Sequence, residues 1–136
     1  MSKRHSRSIS LYILFALILF QGISGVAGGI ALVLDPSGAS IQIPLDWLQG
    51  SPFDTYLIPG LILLIVLGIY PLVLFYALIR KQSWAWQGSV FLGIALIIWI
   101  LIEILIIGYQ PKPPLQLIYG IVGILILVFS LIPSVK

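Results

Sequence analysis

Hydrophobic residues in this chain fall in long continuous runs, and the charged residues mark where the runs stop. No charge lies between Arg7 and Asp35 or between Asp54 and Arg80. Glu103 is the sole charge between Lys81 and Lys112, and none follows until Lys136. A helix needs about 20 apolar residues to cross roughly 30 Å of hydrocarbon. The pattern predicts four such helices, at about 10–34, 54–79, 86–108 and 115–133, within a single domain spanning 1–136. A membrane barrel would alternate lipid-facing and lumen-facing side chains, so continuous runs favour helices. The expected fold class is therefore all-α: a transmembrane four-helix bundle with an ordered first extracytoplasmic loop at about 35–53.

That loop carries its own pattern. Asp35-Pro36-Ser37-Gly38 has the preferred residues of a type I turn, which ends the first helix sharply. Ile41 and Ile43 alternate with polar neighbours in a short extended segment. Pro44 suits the first position of a short helix, with Leu45, Trp47 and Leu48 on its apolar side and Asp46 outward. Ser51 and Asp54 have capping-box spacing, which sets the start of the second long helix near Pro52. The loop is expected to fold down as a cap over the bundle.

Charge gives the chain a direction. Lys3, Arg4, Arg7, Arg80, Lys81 and Lys136 fall on one side of the four helices, and only Lys112 on the other. Positive residues stay on the cytoplasmic side. Both termini are therefore expected in the cytoplasm, in a multi-pass protein of the cell inner (cytoplasmic) membrane. Trp84 and Trp86 suit the inner interface, and Trp47, Tyr56 and Tyr109 the outer one. Gly25-Val26-Ala27 resembles a signal-peptide cleavage site, but the apolar run continues to Leu34, long enough to span, so an uncleaved helix is expected.

Composition removes many functions. The chain is 60% hydrophobic and 8% charged, against about 25% charged in soluble domains. It has no cysteine and one histidine, His5, near the N-terminus. Thiol chemistry, a bis-histidine haem and a Ser-His-Asp triad are excluded, and neither a metal nor a cofactor is expected. The net charge of +3 flanks the apolar runs, so nucleic acid is not an expected partner.

Within lipid, helices approach through small residues. Gly22, Gly25 and Gly29 form such a face on the first helix, and Gly120 and Gly123 on the fourth. Pro59 and Pro71 are expected to kink or break the second. Glu103 is the one ionisable residue well inside a predicted helix, five residues before Gly108 and so roughly 7–8 Å from its end. Trp99, Leu96 and Leu92 share its face. A carboxyl among apolar groups is costly in lipid and is a functional candidate by default. Two readings stay open: an ion or ligand site formed by Glu103 and Trp99 with Asp46 and Trp47 of the loop and Asp54 beside it, or a structural hydrogen bond to Lys112, Gln110 or a tyrosine.

The stretch from Gly28-Gly29 through DPSG, IQIPLDWL and SPFDTYLIPGL, about residues 22–70, resembles a pattern in small uncharacterised four-span bacterial membrane proteins. That resemblance implies four helices and a structured outer loop, and no activity. Better-known four-span families fit poorly. Vitamin K epoxide reductase-like proteins need cysteines, small multidrug transporters place their acid in the first span, and fluoride channels need another polar set. Rich packing faces and sparse chemistry lead to the expected function: a non-enzymatic accessory or scaffold subunit, without a cofactor, binding a partner protein or a lipid. The alternative is a small oligomeric transporter or channel using Glu103 as a proton or cation site.

Overall fold

The computed structural model of the chain describes residues 3–39, 52–108 and 115–131, with side-chain surroundings described from residue 9. Four helices account for most of them: α1 (Lys3–Leu34), α2 (Leu57–Ile79), α3 (Ala85–Ile107) and α4 (Leu115–Leu131). No strand occurs among the described residues. Three of the helices, α1, α2 and α3, contain segments long and apolar enough to cross a membrane. The described part of α4 is shorter; its 17 residues rise about 25 Å. Residues 40–51 and 109–114, which contain the predicted extended segment, the Pro44 helix, Asp46, Trp47, Tyr109, Gln110 and Lys112, lie outside the described residues.

The boundaries differ from the sequence pattern in two places. The first helix already includes Lys3, the first described residue, so the polar residues before the apolar run continue its helical backbone. The second begins at Leu57, with Tyr56 as N-cap, rather than near Pro52. The Tyr56 N–H, instead of opening a helix already under way, donates to the Pro36 carbonyl at 2.8 Å. This bond ties the two ends of the first loop together. At its other end the Gly38 N–H closes a turn on the Asp35 carbonyl at 3.0 Å, and the Ser37 hydroxyl donates to the Asp35 carboxylate at 2.6 Å.

The helices pack as two antiparallel pairs. In the first pair the glycines of α1 meet α2 at close range. Gly22 lies against Leu72, Gly25 against Leu67 and Gly68, and Gly29 against Leu64, while Gly60 of α2 lies against Leu32. A Cβ on Gly25 would overlap the Leu67 carbonyl, so only glycine permits this backbone approach. In the second pair Gly93 of α3 lies against Leu127, Gly123 of α4 against Leu96 and Ile97, and Gly120 near Ile100. The pairs join through α1 and α4, where Phe20 stacks on Tyr119 at 5.7 Å, and through the C-terminal segment of α2 and α3. The shared core is Leu14, Ile18, Leu67, Leu74, Leu92 and Ile126, all buried. Isoleucine, leucine, valine and phenylalanine side chains cover much of the outside, which fits a membrane-embedded surface.

Proline shapes α2 in two different ways. Pro59 sits in the first turn, where backbone N–H groups have no helical acceptor, so it breaks nothing. Pro71 sits deep in the helix and cannot donate to the Leu67 carbonyl four residues earlier. The chain widens into a π-helical turn, Ile65–Ile69, just before it, and the Tyr70 N–H reaches back to the Ile65 carbonyl. The acceptor left by Pro71 is taken from another helix: the Gln21 amide of α1 donates to the Leu67 carbonyl at 3.0 Å. Buried Gln21 thus repairs a hydrogen bond that the Pro71 sequence removes.

Candidate functional site: a lateral cleft between α2 and α3

Helix α2 approaches α3 through its C-terminal segment, Tyr70–Ile79, and not through its N-terminal half. There the Tyr70 hydroxyl donates to the Gly88 carbonyl at 2.6 Å and closes the lower end of the gap. Above it, toward the end where α1 stops and α2 begins, the helices enclose a cavity of about 660 Å³. This lies within the roughly 300–1,000 Å³ range of small-molecule sites.

The walls of this cleft are mostly apolar, with Gln21 and Ser24 the polar side chains on the α1 side. Pro59, Leu63 and Val66 of α2 face Ala95, Trp99 and Ile106 of α3. Ser24, Gly25 and Gly28 of α1 form the back wall, where the absence of large side chains leaves room. The rim is made by Ile62 on one helix and Ile94, Ile98 and Ile102 on the other, and all four are exposed on the apolar exterior. The opening therefore faces sideways, onto the same apolar surroundings as the outside of the bundle.

Polar groups gather at the upper end. Glu103 is half-buried and lines the cleft with Tyr56, Gln116 and Phe53. The Gln116 amide donates to the Glu103 carboxylate and also to the Gly108 carbonyl at 3.0 Å. Gly108 is the C-cap of α3, with φ 74°, so Gln116 satisfies a helix-end carbonyl while it holds the carboxylate. Tyr56 lies within electrostatic range of Glu103, across from α3 at the start of α2. The carboxyl is thus surrounded by groups from three helices that are far apart in sequence.

Of the residues singled out from sequence, Glu103 and Trp99 share the cleft. Asp54 is exposed and is not part of its lining, and Asp46 and Trp47 lie outside the described residues. Gly25 lines the back wall as well as packing on α2. Among the described residues no group of three or more His, Cys, Asp or Glu is placed to hold a metal ion. Two residues escaped the sequence reading. Gln116 stands beside the Lys112-Pro-Pro segment and reads as a boundary residue; only the return of α4 against α3 brings it to Glu103. Tyr56 reads as an interfacial aromatic, and its role depends on where α2 starts.

No family model matches the chain, and no curated protein or solved structure matches it.

Proposed function

We propose that this is a polytopic membrane protein of the accessory, non-enzymatic kind, whose lateral cleft takes up a lipid. The observation that carries the reading is the cleft itself: about 660 Å³, mostly apolar, with Glu103, Gln116 and Tyr56 at one end, and open on the apolar exterior. A lipid acyl chain entering from the bilayer would bury apolar surface without passing through water. Its polar group would come to rest near Glu103, Gln116 and Tyr56. The charge distribution supports an orientation in which this polar end is extracytoplasmic, both termini are cytoplasmic, and the membrane is the cell inner membrane.

The test uses the full chain extracted in a gentle neutral detergent and examined by native mass spectrometry. The expected outcome is retained lipid on the wild-type protein and its loss in Ala95→Phe, which fills the cleft at mid-depth. Equal lipid retention by the two proteins would count against the cleft as the site.

One observation favours a second reading, in which the protein is a small oligomeric transporter or channel: the single carboxyl of α3 is turned to the cleft rather than away from it. On that reading, proton or cation flux into proteoliposomes depends on Glu103 and is lost in Glu103→Gln. Flux that survives this substitution, or no flux from the wild type, removes it.

A further inference from the structure

The upper end of the cleft has a definite electrostatic character. Glu103 is the only acidic residue among the lining residues, and no lysine, arginine or histidine accompanies it there among the described residues. Gln116 contributes an amide donor, while a carboxylate can accept about four hydrogen bonds. Three aromatic side chains, Phe53, Tyr56 and Trp99, line the same region. A negative group among aromatic side chains attracts an organic cation, through charge and through the quadrupole of any ring that turns its face to it. An anionic head group would be repelled by Glu103. An uncharged one would leave its charge uncompensated in surroundings of low polarity.

The geometry points to an amphiphile with a positively charged nitrogen as the occupant of the cleft, its cationic head beside Glu103, Trp99 and Tyr56, and its hydrocarbon tail between α2 and α3. This rests on the lipid-cleft reading above and narrows it to a chemical class. The tail would run down past Leu63, Val66 and Ala95, toward the closure at Tyr70 and Gly88. The Gln116 amide would hold the carboxylate in place while the cation takes its remaining acceptor positions.

The experiment compares three probes with the same ten-carbon tail: decyltrimethylammonium, 1-decanol and decyl sulfate. Each is titrated into the full chain in micelles of an uncharged sugar detergent, with protein-free micelles subtracted. The wild type is expected to bind the ammonium probe roughly tenfold or more tighter than either of the others. Glu103→Gln should bring the ammonium probe down to the level of decanol, and Glu103→Asp should keep most of the preference. Ala95→Phe should weaken all three. Equal binding of the three probes by the wild type, or a preference that survives Glu103→Gln, overturns the inference. If decanol still binds and Ala95→Phe still blocks it, the inference fails while the cleft reading stands. If no probe binds above the protein-free background, both fail.

Discussion

Gln21 and Pro71 form a pair that neither residue explains alone. A buried amide costs free energy unless it is hydrogen-bonded, and one of its atoms, Oε1, has no partner among the described residues. Its compensation is the Leu67 carbonyl, the acceptor four residues before Pro71 that the proline cannot use. Gln21→Leu should destabilise the protein by about 1 kcal/mol, a lost hydrogen bond partly offset by removal of the unpartnered oxygen. In a Pro71→Ala background, where residue 71 regains a backbone N–H, the same substitution should cost less. Unfolding titrations in a denaturing detergent, run as a double-mutant cycle, measure the difference. No coupling between the two sites would refute the repair argument. Gly25 supplies the second prediction at this scale. Gly25→Ala places a methyl on the Leu67 carbonyl and should destabilise by about 1–3 kcal/mol in the same assay, because two backbones must separate.

At the scale of elements, the turn between α2 and α3 shows how a short connection is made. The Gln82 N–H returns to the Ala77 carbonyl at 2.9 Å and the Lys81 N–H to the Leu78 carbonyl at 3.1 Å. This is a Schellman end, and it requires the left-handed conformation at Lys81, φ 55°. Glycine adopts that conformation without a Cβ clash, so Lys81→Gly should raise stability by about 0.5–1 kcal/mol, net of the added freedom of the unfolded chain. A loss of stability in the unfolding titration would show that the lysine side chain contributes more than the backbone strain removes. Above this turn the Trp86 indole donates to the Ser130 carbonyl and Arg80 lies 6.0 Å from the centre of the Tyr76 ring, so the lower ends of α2, α3 and α4 carry polar and aromatic anchors.

At the scale of the whole molecule, two well-packed antiparallel pairs meet incompletely, and the cleft is the part they leave open. Glycine faces draw α1 to α2 and α3 to α4, while α2 and α3 close only below, at Tyr70. The orientation of this assembly is open to a direct test because the chain has no cysteine of its own. Ser37 and Gln82 are both exposed, at opposite ends of the bundle. In intact cells Ser37→Cys should react with a membrane-impermeant maleimide, and Gln82→Cys only after the cells are opened. The reverse pattern would invert the proposed topology and place the polar end of the cleft in the cytoplasm.

The sequence by itself determined the helices. Continuous apolar runs cut by charge locate their apolar spans, though not the polar start of the first helix, because the cost of exposing backbone and burying charge depends on local composition. It also marked Glu103, since a lone carboxyl in an apolar run is conspicuous in one dimension. It did not separate Pro59 from Pro71, whose effects depend on whether a helical acceptor is lost, nor did it predict the later start of α2. Only the tertiary structure decided which glycine meets which carbonyl, that Gln21 supplies the donor missing at Pro71, and that Gln116 and Tyr56 stand beside Glu103. These are contacts between residues tens of positions apart, and their register follows from how the helices pack, which no single run of sequence encodes.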